Sequence, residues 1–255
     1  MLTTSSNAHQ WNVIPIYWNR IPFVSRCGMD KKTVKRPRRE ESLTKERIIE
    51  AAIALLDSSG ESGLTFRTLS EALATGPGAI YHHIDNKDDL LTAACDAIVA
   101  RTVQARAPGA APKEAIRTLA LGLFDAMEAH PWAGSALIRA GGQLPVVRVL
   151  ECLGQQVQAL GVPPQAQWLT VSALLHFILG VGGQNAANMQ RALGGAVDRT
   201  DLLDQVATAW SGLSPTDYPF ARSMAGQLRA HDDRVDFLAG VDLILGGIDV
   251  IAAEA

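Results

Sequence analysis

The stretch Leu64-Thr65-Phe66-Arg67-Thr68-Leu69-Ser70-Glu71-Ala72-Leu73-Ala74-Thr75-Gly76-Pro77-Gly78-Ala79-Ile80-Tyr81-His82-His83-Ile84-Asp85-Asn86-Lys87-Asp88-Asp89-Leu90-Leu91 decides how this chain folds. Thr65 is a helix-capping residue, and Leu69, Ala72 and Leu73 follow at spacings that put them on one helical face. The short helix they predict ends near Thr75 and Gly76. Pro77 then falls where proline is welcome, in the first turn of a helix carrying Ile80, Tyr81 and Ile84. Upstream, Thr44 caps a longer helix whose Ile48, Ile49, Ala52, Leu55 and Leu56 form an apolar stripe, and Gly60 stands where a left-handed C-terminal cap belongs. Three such helices, the last two joined by a tight glycine-containing turn, make a helix-turn-helix unit.

The rest of the 255-residue chain continues in the same class. Helical periods punctuated by proline or glycine predict helices over 88–106, 113–129, 131–139, 145–160, 164–193, 199–213, 220–230 and 234–253. The fold class is therefore all-α, an N-terminal three-helix helix-turn-helix domain followed by a C-terminal antiparallel helical bundle. With 47% apolar but only 5% aromatic residues, packing must rest on Ala, Leu and Val. Cys27, Cys95 and Cys152 are odd in number, far apart and without C-x-x-C spacing, which argues against a disulfide framework or a zinc site. No segment offers the roughly 18–20 uninterrupted apolar residues of a membrane span, so the expectation is a soluble, cytoplasmic protein with no membrane partner.

The net charge of −3 argues against a generic polyanion binder, but its distribution says more. Residues 1–92 hold 12 Lys/Arg against 11 Asp/Glu, and residues 93–255 hold 11 against 15. Lys31, Lys32, Lys35, Arg36, Arg38 and Arg39 concentrate six of those cations in a short run without an acid. Standing alone such a run reads equally as a solubilising tail. Residues 1–41 are expected to be a disordered or extended arm, within which Met29 reads as a conventional start and 1–28 as a start-site artefact. Residues 42–91 are expected to bind DNA, and 92–255 to sense a ligand and dimerise.

A recognition helix enters the major groove by its first residues while flanking groups hold phosphates. Gly76, Pro77, Gly78 and Ala79 give such a helix a slim start whose backbone approaches DNA closely. Over residues 43–91, and most specifically in Gly78-Ala79-Ile80-Tyr81-x-His83 followed by Asn86-Lys87-Asp88-x-Leu90-Leu91, the sequence resembles the DNA-binding domain of the tetracycline-repressor (TetR) family. The resemblance implies phosphate contacts from Tyr81, His83 and Lys87, and a base or phosphate contact from Arg67, with Thr65 in the same set. It departs from the family's habit at Ile84, where an aromatic is usual, and at Ala74, where glycine is frequent. Ala79 offers a methyl to thymine, Arg67 a fork to guanine and His82 an adaptable donor or acceptor, so shape readout should supply much of the specificity. Beside a DNA-binding helix, the arm's Lys35, Arg36, Arg38 and Arg39 gain a role along phosphates or in a minor groove. Tyr81 has an ordinary alternative as a half-buried tyrosine. Metal is not expected, because adjacent histidines on a helix diverge by about 100°.

Polar residues embedded in apolar helices suggest a ligand pocket, with Trp132, Arg139, Trp168, His176, Gln184 and Asn185 orienting an unknown small-molecule effector over Met127, Phe177 and Met189. His176, flanked by Leu175 and Phe177, is expected to be at least partly buried; a satisfied core histidine is its bland reading. Gly180, Gly182 and Gly183 in one helix, and Gly240, Gly246 and Gly247 in the last, invite close helix approach, either inside the chain or, as the family resemblance implies, in a four-helix homodimer interface. No G-x-S-x-G, phosphate loop, H-E-x-x-H or paired-carboxylate motif is present, so neither an enzyme nor a cofactor is expected. The reading is a ligand-responsive regulator of a double-stranded DNA operator, with repression ahead of activation or an architectural role.

Overall fold

Capping groups decide where the first helices begin. The computed structural model describes residues 43–105, 109–194 and 198–253, and among them eleven α-helices and no strand. Helix α1 (Lys45–Gly63) opens where the Thr44 hydroxyl accepts from the Arg47 backbone N–H at 3.3 Å. Gly60 is left-handed, φ 64°, as the sequence predicts, yet helical structure resumes to Gly63, so this residue kinks the helix rather than ending it. Helix α2 (Phe66–Ala72) is closed by a reciprocal box: Thr65 Oγ1 accepts from Thr68 N at 3.1 Å, and Thr68 Oγ1 from Thr65 N at 3.0 Å. Helix α3 (Pro77–Tyr81) has proline in its first turn, and α4 (Lys87–Gln104) starts at Asn86, whose Oδ1 accepts from Asp89 N at 2.9 Å.

The turn between α2 and α3 is a Schellman motif: Thr75 N donates to Ser70 O at 2.9 Å and Ala74 N to Glu71 O at 3.2 Å. Its left-handed residue is Ala74, φ 50°, where glycine would carry no Cβ penalty.

Seven helices complete the chain: α5 (Pro112–Ala129), α6 (Pro131–Arg139), α7 (Leu144–Ala159), α8 (Pro164–Gly194), α9 (Arg199–Ser211), α10 (Pro219–Leu228) and α11 (Asp233–Ala253). Proline in the opening turn fixes the starts of α5, α6, α7 and α10 within a residue of the sequence reading. Helix α8 is the centre, with α5, α6, α7 and α11 laid against it, while α4 rests on α7 and carries α1. Leu174 and Ile178 of α8 are completely buried with Ile116, Leu119 and Leu123 of α5 and Val149, Leu153 and Val157 of α7. Each of the larger side chains contributes about 1.5–3 kcal/mol by leaving water. Phe124 stacks on Phe237 with centroids 4.7 Å apart, and Phe237 on Phe177 at 5.6 Å.

One expectation needs correction. Within the 27 residues Pro164–Gln190 of α8, an 18-residue window reaches a mean hydropathy of 1.3, long and apolar enough by length and composition to cross a membrane. Scattered single polar residues hide that property from a search for an uninterrupted run. Four helices cover this segment's inner face.

Gly182 and Gly183 of α8 serve contacts within this chain. A Cβ on Gly134 of α6 would lie 3.1 Å from the Gly183 Cα, and one on Gly182 would collide with the Met127 side chain. A Cβ on Gly240 of α11 would likewise meet the Phe177 ring. Ion pairs Lys113–Asp249 (2.5 Å), Arg117–Asp242 (2.6 Å) and Arg234–Asp125 (2.9 Å) fasten α11 to α5. Cys95 and Cys152 are free and buried, and burial pushes the Cys95 thiol up to about 12, which holds it as the unreactive neutral form.

Candidate nucleic-acid interface

The face presented by α2 and α3 is set by two rings. Phe66, the first residue of α2, stacks on Tyr81, the last of α3, with centroids 4.3 Å apart and planes 7° from parallel. Ile80 and Ile84 are buried beneath, as expected from their spacing, while Tyr81 remains 52% exposed. Pro77, Gly78, His82 and His83 are exposed and Ala79 is half-buried. Arg67 stands out with 86% of its side chain exposed, and its partner is Glu71 one turn on, Nε to Oε1 3.0 Å. A solvent-exposed i,i+4 pair of this kind is worth about 0.3–0.5 kcal/mol, little enough for a base or phosphate to displace.

Two members of the sequence-derived set have structural duties. Thr65 spends its hydroxyl on the capping box of α2. Lys87 does not project freely: Nζ donates to Glu61 O at 2.5 Å, closing the end of α1 from 26 residues away. The basic arm with Lys35, Arg36, Arg38 and Arg39 lies outside the described residues.

Sequence reasoning missed the other face of α1. Glu50 and Asp57, seven residues apart, share one side of α1, and Glu61 follows the Gly60 kink. Arg101 of α4 pairs with Glu50. Asp57 Oδ1 accepts from Trp132 Nε1 at 2.7 Å and lies 2.8 Å from His130 Nδ1, while Glu61 takes Ser135 Oγ at 3.2 Å and Arg139 Nη2 at 2.5 Å. A carboxylate stripe of the helix-turn-helix is thus held by α4, α6 and the turn before α6. No local pattern announces it, because every partner is more than fifty residues distant.

The proposed ligand residues do not converge on one pocket. Trp132 and Arg139 belong to the α1 contact just described, and Arg139 also edges a groove of about 200 Å³ with Asp88, Leu91 and Thr92. Met127 is fully buried. Trp168 is 71% exposed, and His176 is exposed as well, its Nδ1 3.2 Å from Ser172 Oγ, contrary to the expected burial. Apolar neighbours misled because α8 is apolar on its outward side too, where Leu169 is 69% exposed. Phe177, Gln184 and Asn185 alone are brought together, in a cleft of about 330 Å³ with Val181, Asn188, His231, Asp233, Asp236, Phe237 and Gly240. Met189 lines an adjoining recess with Asn185 and Arg199.

Residues 48–94 match the model of the bacterial regulatory proteins of the tetR family. The structure of SCO7222, a TetR regulator from Streptomyces coelicolor, is similar over 82% of this chain and 99% of that one, with 51% identity and a TM-score of 0.75. The transcriptional repressor DrrR1 of Streptomyces coeruleorubidus is 26% identical across 87% of this chain and 84% of its own length. ActR from S. coelicolor, solved in complex with (S)-DNPA, shares the fold over 82% of this chain and 98% of that one at 22% identity, TM-score 0.66. A helix-turn-helix front built on a Phe66–Tyr81 stack, an all-helical body behind it and half-identity to a TetR regulator over nearly that protein's full length have one meaning: the chain belongs to the tetR family of DNA-binding transcriptional regulators.

Proposed function

We propose that this regulator is a repressor that occupies its operator as a homodimer and leaves it when a small molecule binds the helical body, with no catalytic step of its own and with the cytoplasm as its workplace. The exposed front of Arg67, Tyr81, His82 and His83 around Pro77, Gly78 and Ala79 carries the reading. Residues 42–91 serve DNA and 92–255 serve the ligand and the partner subunit. Tyr81 and His83 suit phosphates, Arg67 a base edge, and Lys87 a phosphate once it exchanges its Glu61 carbonyl. The dimer is supported by the outward faces of α8 and α11, where Leu169, Leu243 (80% exposed) and Val250 stand among Ala173, Gly180 and Gly246. The name of DrrR1 supports repression, and the ActR complex supports a small-molecule effector.

Selection of operators from random duplexes, followed by footprinting, is the test. A two-fold site whose half-sites lie about 34–36 Å apart, or a multiple, fits the dimer. Recovery of sites without two-fold symmetry would reject it.

A further inference from the structure

Three polar side chains are buried among the described residues: Ser70, Thr170 and Asn185. Two of them are satisfied locally, Ser70 Oγ by Arg67 O at 2.9 Å and Thr170 Oγ1 by Ala166 O at 2.9 Å. The Asn185 side chain, 8% exposed, has no hydrogen-bond partner among the described residues. Native interiors rarely leave a buried carboxamide unpaired, so its partner is water or a ligand in the space it lines. Asn185 also lines both recesses at this end of the molecule, the 330 Å³ cleft between α8 and α11 and the smaller one of about 60 Å³ toward α9.

From this coincidence we infer that the α8–α11 cleft is the effector site, and that it takes an uncharged or cationic compound whose adjacent hydrogen-bond donor and acceptor pair with the Asn185 carboxamide. The inference rests on the ligand-released reading above and specifies its site and chemistry. An apolar wall of Phe177 and Val181 lines the cleft beside Asn185. An adjacent donor and acceptor follow from the carboxamide, which offers N–H and C=O side by side.

The charge preference follows from the rim. Asp233 and Asp236 both line the cleft. The Arg199 guanidinium is committed to Asp233, Nη2 to Oδ2 at 2.5 Å, and to His231 O at 3.1 Å. His231 bridges the two acids, its Nε2 2.8 Å from Asp233 Oδ1 and its Nδ1 on Asp236. Among the described lining residues no cation remains for an anionic ligand, which would meet two carboxylates instead. An apolar group gains the half-buried Phe177 and Val181, and a neutral polar group gains Asn185.

Two probes that share one ring test this: 3-hydroxy-2-naphthamide, neutral with donor and acceptor side by side, and 3-hydroxy-2-naphthoate, its carboxylate counterpart. Each is titrated calorimetrically into the full chain, wild type, Asn185→Leu and Asp236→Asn. The amide should bind saturably, and the carboxylate about tenfold more weakly. Asn185→Leu, apolar and close in size, should keep the fold and lose about tenfold in amide affinity. Asp236→Asn should narrow the gap between the probes. Absence of saturable amide binding at millimolar concentration, equal binding of the two probes, or an Asn185→Leu variant that binds like wild type would each overturn the site. The amide is separately scored for displacement of a selected operator duplex. Asn185-dependent binding that leaves operator occupancy unchanged at saturation keeps the site and rejects ligand-induced release.

Discussion

The indole N–H of Trp132 is given to the carboxylate of Asp57 across 2.7 Å, joining α6 to α1. Trp132 is 3% exposed, so its donor has no water to fall back on. Asp57→Ala should therefore cost about 1–3 kcal/mol in urea unfolding, because it strands a buried donor. Trp132→His, which offers a ring N–H in a smaller side chain, should cost more through lost packing. An Asp57→Ala protein as stable as wild type would mean that this contact holds nothing.

Tyr81 and Lys87 separate fold from recognition differently. Tyr81→Phe keeps the ring that stacks on Phe66, so stability should stay within about 0.5 kcal/mol while operator affinity falls evenly across sequence variants. The salt dependence of binding should stay unchanged, because a neutral hydroxyl displaces no counterion. Lys87→Ala should lower stability by about 1–3 kcal/mol through its bond to Glu61 O. If the salt slope is untouched by Lys87→Ala, the residue is a helix-end cap and nothing more.

Arg67→Ala should relax discrimination at one base pair by about 1–3 kcal/mol if the guanidinium reads a base edge. Its exposed pair with Glu71 makes the folded state nearly indifferent to the change. Quantitative binding to a panel of single-base operator variants distinguishes this from equal losses on every variant, which would reassign Arg67 to phosphate.

Ala74→Gly should stabilise the protein, by up to about 1 kcal/mol in thermal or urea unfolding. A left-handed alanine costs roughly 1–2 kcal/mol, and part of that is returned because glycine frees the unfolded chain. Destabilisation would show that the Cβ makes a contact that outweighs the backbone strain.

The start of α11 predicts the acid limb of stability. Asp232 accepts from Val235 N and Arg234 N, both at 3.0 Å, and these bonds hold its carboxyl below the ordinary 3.8. A depressed folded pKa contributes stability above the unfolded value and loses it as pH falls through the folded one. Asp232→Ala should thus lower stability at neutral pH and flatten its decline below pH 3.8, read by urea midpoints across the acid range.

What was legible in the sequence follows from range. Thr44 and Thr65 cap helices whose first N–H groups lie three residues ahead, so the residues concerned sit together in the string. Proline places the starts of α5, α6, α7 and α10 for the same reason. Ile80 and Ile84 are inward because a four-residue spacing admits one face. By contrast, the Lys87–Glu61 bond and the Asp57–Trp132 bond join segments whose approach depends on the whole helical packing. Periodicity also fails on α8: with apolar residues inside and outside, nothing local tells that Leu174 faces the core while His176 and Trp168 face out.

The contact of Gly134 with Gly183 bears on mechanics. Helices separated by long side chains have a compliant layer, and rotamer changes soak up small displacements. Here a Cβ on α6 would already stand 3.1 Å from the α8 backbone, leaving no cushion on that side. On the other side, α6 holds α1 through Trp132, Ser135 and Arg139. Helix α6 therefore meets α8 backbone to backbone and α1 through hydrogen-bonded side chains. A shift of α8 smaller than a rotamer change has to be answered by a shift of α6, and the carboxylates of α1 ride on it.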